Sequence, residues 1–162
     1  MKISTLILAG ALFAGLATSA YAAGDDVLDG SNVDEILSLA SSHGNADLQK
    51  QDNGDPKIKG DMNGVSYSIY FMNCTDNKDC EDLNFYSGFL NVKPSTETIN
   101  KWNQEKRFGK AYLDEDGDAV VEMDINLEHG ITSDNMDADL DVWGIVLDQY
   151  TDEIGYKKDD DK

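Results

Sequence analysis

Apolar and polar positions along the chain fall into runs of two periods, and these runs predict the elements. Val65, Tyr67, Ile69 and Phe71 alternate with Ser66, Ser68, Tyr70 and Met72, the period of a strand with one buried face. Leu83 to Val92, rich in Phe85, Tyr86, Phe89 and Leu90, is its predicted partner, and Gly88 within it marks a predicted bulge. Val121, Met123, Ile125 and Leu127 alternate with Glu122, Asp124 and Asn126. Phe108–Glu115 and Asp118–Leu127 flank Asp116-Gly117, the signature of a hairpin with a two-residue loop, which sets Tyr112 opposite Val121. Shorter strands are predicted at Leu48–Gln49 and Lys57–Lys59, both as sheet edges blunted by charge.

Helical spacing appears three times. Val33, Ile36, Leu37 and Ala40 define a first helix, capped by Ser31 or Asn32 and stopped by Gly44. Ser95 caps a second, with Ile99, Trp102, Asn103 and Lys106 on one face and an end near Arg107–Gly109. Thr132 or Ser133 caps a third, whose stripe runs through Met136, Leu140, Trp143, Leu147, Tyr150 and Ile154 until Gly155. The fold class is therefore α+β: an antiparallel sheet of about five strands flanked by three helices.

The amino terminus changes the picture of where the protein works. Lys2, the apolar run Ile3–Ala17 and Ala20-Tyr21-Ala22 predict a signal peptide over residues 1–22, cleaved before Ala23. A single domain over 23–154 and a charged flexible tail over 155–162 follow. The run is too short for a membrane span, so no membrane insertion is expected after cleavage. The expected location is the periplasm of a Gram-negative bacterium, or outside the cell. Two cysteines, Cys74 and Cys80, bracket the predicted hairpin connection CTDNKDC. In an oxidising compartment they predict a disulfide that closes a short loop and contributes about 2 kcal/mol in the loop-entropy view.

Charge excludes one class of partner. The chain carries a formal charge of −19, which repels phosphate backbones and argues against nucleic acid. Asp114-Glu115-Asp116-Gly117-Asp118 invites a calcium loop, but counted from Asp114 the glycine is fourth and the twelfth residue is Ile125. An EF-hand needs glycine sixth and a bidentate carboxylate twelfth, so no metal is assigned. His43 and His129 are far from each other and from the cysteines, which leaves zinc without ligands. No nucleophile elbow, phosphate loop or dinucleotide fingerprint is present, so no catalytic residue and no cofactor are assigned. Glu122 and Asp124 share a strand face, as paired carboxylates in a glycosidase do, and as any solvated face does.

One local feature stands apart. Asn100, Asn103 and Arg107 form a polar stripe beside Trp102, and Lys101, Lys106 and Lys110 make a basic island in an acidic chain. Asn103 or Arg107 can tie the helix to the next strand; alternatively Asn100, Trp102, Asn103 and Arg107 contact a partner.

The same stretch carries a resemblance. Asn100-Lys101-Trp102-Asn103, then Arg107-Phe108, Ala111-Tyr112 and the Asp-Gly hairpin, with the preceding Cys74…Cys80 hairpin, resembles a YbjN-domain protein over about Asp55–Ile154. That family is described as sensory-transduction regulators, with a fold similar to type III secretion chaperones. The resemblance implies a small acidic α+β protein, often a homodimer, that holds a protein or peptide partner, and it carries no catalytic residues to transfer. The chain departs from members described as cytosolic regulators in having a predicted export signal. The leading expectation is a non-enzymatic envelope protein that binds another protein or a peptide in a chaperone-like or regulatory way. An acidic cation-binding or stress protein comes next, and a hydrolase with an unrecognised site last.

Overall fold

The structure, a computed structural model, describes residues 27–158. The predicted signal peptide and the last four residues of the predicted tail lie outside the described residues. In chain order the elements are β1 (Val27–Leu28), α1 (Val33–Ser42), β2 (Asn45–Lys50), β3 (Pro56–Met62), β4 (Val65–Met72), β5 (Asp82–Phe89), α2 (Thr96–Glu105), β6 (Lys110–Leu113), β7 (Ala119–Asn126), β8 (Ile131–Thr132) and α3 (Ser133–Ile154). β2 to β7 make one antiparallel sheet in the order β2-β3-β4-β5-β7-β6, and β1 pairs with β8 in a separate two-stranded ladder. The class is as the hydrophobic pattern predicts, with six strands in the main sheet rather than about five.

Alternation does what the pattern requires. Tyr67, Ile69 and Phe71 of β4, Leu83 and Phe85 of β5, and Val121 and Met123 of β7 point to one face and are buried. α3 covers that face: Trp143 packs its ring at 5.7 Å from Phe85 and 6.5 Å from Tyr67, and Tyr150 packs at 4.9 Å from Trp102 of α2. α1 adds Ile36 and Ala40 to the same core. The opposite face, with Tyr70, Asn84, Tyr86, Glu122 and Asp124, has no helix against it among the described residues. Ser95 caps α2 by accepting the Thr98 N–H, and Thr132 caps α3 by accepting the Asn135 N–H.

Several local expectations are corrected. β3 is not an edge; it lies between β2 and β4. Gly88 forms no bulge, because β5 and β7 stay in unbroken register from Asp82↔Asn126 to Phe89↔Ala119. Its missing side chain instead leaves room for Tyr86, whose hydroxyl would lie 2.8 Å from an added Cβ. Asn32 precedes α1 without bonding a helix N–H; its Oδ1 accepts the Asp29 N–H at 2.9 Å.

The β6–β7 hairpin differs by one residue. Tyr112 faces Val120, and Ala111 faces Val121. The Asp114 carboxylate accepts the N–H groups of Asp116 (3.0 Å) and Asp118 (2.8 Å), and the Gly117 N–H donates to the Asp114 carbonyl. Only Gly117 has positive φ in this turn (+80°), so the loop holds three residues and ends on a left-handed glycine. A one-residue slip moves Tyr112 from the core face to the uncovered face.

Candidate partner-binding surfaces

The two edges of the sheet are treated differently by the chain. At the β6 edge, α2 turns Ile99 and Trp102 inward. Trp102 is 1% exposed, and its Nε1–H donates to the Gly109 carbonyl at 2.8 Å. A Cβ at Gly109 would sit 2.7 Å from Val146 and 3.1 Å from Val121, so only glycine lets the chain pass so close to the core. One residue beyond Trp102, Asn103 aims its amide at Ala111: Nδ2 donates to the Ala111 carbonyl and Oδ1 accepts the Ala111 N–H, both at 2.9 Å. The side chain thus makes the pair of bonds that another strand would make, and it seals β6 at its midpoint.

Of the residues predicted to contact a partner, Asn100 and Arg107 are exposed, Asn103 serves as this seal, and Trp102 is in the core. Between α2 and β6 the chain reverses through Lys106, Arg107 and Phe108. Phe108 has φ +70° and is 65% exposed. The Arg107 guanidinium lies 5.5 Å from the Phe108 ring centre, and Lys106 Nζ lies 5.9 Å from that of Trp102. A groove of about 330 Å³ separates this turn from Val142, Ile145, Val146 and Gln149 of α3. Phe108 was not singled out as a site residue by sequence reasoning. The signal was its position, an aromatic residue directly before a glycine in a connection too short for a relaxed turn.

The other edge is open. β2 bonds to β3 on one side, and among the described residues no backbone group of Asn45–Lys50 is bonded on its outer side. Beside it lies a cavity of about 570 Å³, bounded by the first turn of α1, by Leu48, Gln49 and Lys50, and by Asp76, Asn77 and Lys78. The last three belong to the loop closed by the Cys74–Cys80 disulfide. That loop is held in place by reciprocal backbone bonds between Thr75 and Lys78, and by Asn77 Nδ2, which donates to Asp55 Oδ1 at 2.8 Å. Leu48, opposite buried Ile58, is 46% exposed toward the cavity.

Several titratable groups outside these two edges are held in structural bonds. His43 Nε2 lies 2.7 Å from Asp137 and Nδ1 lies 3.5 Å from Asp141, tying α1 to α3. On the uncovered face Glu122 is met by Lys110 (2.6 Å) and the Tyr112 hydroxyl (2.7 Å), and Asp124 accepts from Asn84. Burial, and then the Glu122 carboxylate, push the Tyr112 phenol well above its ordinary value, and the hydrogen bond to Glu122 holds Lys110 up as well. Among the described residues no three His, Cys, Asp or Glu side chains converge to hold a metal ion. No helix among them is long and apolar enough to cross a membrane.

Fold and surfaces together define a class: a small acidic α+β protein with helices on one face of an antiparallel sheet, one sheet edge sealed and the other open. More narrowly, the chain belongs to the YbjN family, whose description reads "Putative bacterial sensory transduction regulator" and whose profile matches residues 32–155. That match begins earlier than the resemblance read from the sequence and takes in α1. No protein with a curated description matches the chain.

Proposed function

We propose that this YbjN-family protein is exported and acts without catalysis, holding an extended segment of a protein or peptide partner by strand addition at β2. The observation that carries the reading is the outer edge of β2, unpaired among the described residues and lying beside a cavity, when the opposite edge is sealed by Asn103. An exposed strand edge is completed by another extended chain, whose backbone supplies the missing donors and acceptors. Leu48 supplies an apolar contact for one of its side chains. The disulfide supports an oxidising compartment.

The test is site-specific photo-crosslinking in the native cell from position 49, with position 104 on exposed α2 as the control. A discrete adduct from position 49 that Leu48→Asp abolishes is the expected result. Equal labelling from both positions, or an adduct indifferent to Leu48→Asp, refutes strand addition at β2. Mass spectrometry of the protein recovered from the envelope is expected to show a chain beginning at Ala23; a full-length chain in the cytoplasm refutes export.

A further inference from the structure

We propose a second docking site, independent of β2: the groove under Phe108, with an acidic peptide segment that carries one aromatic or branched aliphatic anchor as its occupant. The backbone is the first observation. A phenylalanine at φ +70° stands in a conformation that L residues other than Asn, Asp and Gly seldom adopt, at a cost of order 1–2 kcal/mol. Glycine in this position would relieve that cost, and the next residue is a glycine. What the strained conformation achieves is display: the ring stands 65% exposed at the mouth of a groove of about 330 Å³.

The groove wall is the second observation. Ile145, on the α3 side, is 54% exposed, and Val142 and Val146 lie beside it. Two large apolar side chains thus face one another across a cleft with room for a third.

Charge selects the occupant. Lys106 and Arg107 stand at the rim, each over an aromatic ring, and neither is ion-paired among the described residues, whereas Lys93, Lys101, Lys110 and Lys158 are. Among the described residues Glu105 is the one acidic group lining the groove. At physiological ionic strength charge is felt over about 8 Å, so a seated ligand meets these two cations rather than the net charge of the whole chain. Carboxylates take the guanidinium fork of Arg107 in paired bonds, while a lysine-rich segment would meet like charge at the rim.

Two fluorescein-labelled synthetic peptides decide it, one with aspartates flanking a Phe-Leu pair and one with lysines in their place, titrated by anisotropy against the protein from Ala23 onward. The aspartate peptide is expected to bind at least about tenfold more tightly than the lysine peptide. The double substitution Lys106→Glu with Arg107→Glu is expected to reverse that order. Phe108→Gly relieves the backbone, so it is expected to raise the unfolding midpoint while weakening the aspartate peptide severalfold, which separates binding from folding. A lysine peptide bound as tightly as the aspartate one, an aspartate peptide that does not bind, or binding indifferent to positions 106–108 overturns the proposal.

Discussion

Replacing Asn103 with alanine removes both bonds to Ala111 at once. Each is a neutral side-chain-to-backbone bond of good length, 2.9 Å, and such bonds contribute about 0.5–1.5 kcal/mol net. The amide is only partly buried, so water takes over some of the lost bonding, and the expected loss is about 2 kcal/mol rather than the full cost of two orphaned backbone groups. For a chain of this size that lowers the thermal midpoint by about 6 °C. Urea unfolding followed by the emission of Trp102 and Trp143, both in the core, measures it. Asn103→Asp is expected to cost at least as much, because it keeps an acceptor for the Ala111 N–H but turns a second oxygen toward the Ala111 carbonyl. Gln104→Ala, on the exposed side of α2, is the control and is expected to change little. The unsealed β6 edge is also expected to make Asn103→Ala self-associate with concentration in light scattering. A loss below about 0.5 kcal/mol with no added association would show that the amide neither stabilises nor guards this edge.

Two further outcomes follow from chemistry already described. Changing Cys74 and Cys80 to serine is expected to cost about 2 kcal/mol in urea unfolding by the loop-entropy estimate; an unchanged midpoint, or two alkyl groups added to the unreduced protein, refutes a stabilising disulfide. Burial pushes the Tyr67 phenol up to about 12, and raises that of Tyr150. Both phenols are raised above an unfolded value near 10, so their neutral forms favour the fold. That stability is fully present below pH 10 and is lost as pH rises through the folded values. Phenolate absorbance from these two tyrosines is expected only together with alkaline unfolding above pH 10; complete titration near pH 10 in a folded protein refutes this.

What the hydrophobic pattern could reveal was set by how many residues carried each signal. β4 and α3 repeat their period over eight residues and over six turns, and both stand where the pattern places them. β1 and β8 have two residues each, too few for any period, and were not foreseen. The β6–β7 hairpin was foreseen but its register was not. Asp-Gly signals a reversal, yet whether one or two residues turn left-handed depends on the Asp114 carboxylate, a bond between side chain and backbone with no counterpart in periodicity. The same limit applies at the candidate site. A polar stripe through Asn100, Asn103 and Arg107 was visible, but not that Asn103 turns to Ala111 while Arg107 remains at the surface. Of the two roles that such a stripe can have, a tie between helix and strand or a contact with a partner, Asn103 makes the tie. Trp102, grouped with the stripe by proximity, points the other way because it shares a helical face with Ile99.

The pairing of β1 with β8 bears on the order in which the protein can assemble. Leu28 waits for Ile131, and Leu83 for Ile125, so neither the first strand nor the middle of the sheet has its neighbour until most of the chain has been made. A nascent chain that stops before β7 holds the β2–β5 meander with β5 unpaired on one side and Phe85 without the ring that packs on it, because Trp143 has not yet been synthesised. Such a fragment is adhesive rather than half-finished. The last helix therefore acts as a completion signal: only a chain translated through α3 can bury the whole core, and a truncated product leaves part of that apolar surface exposed.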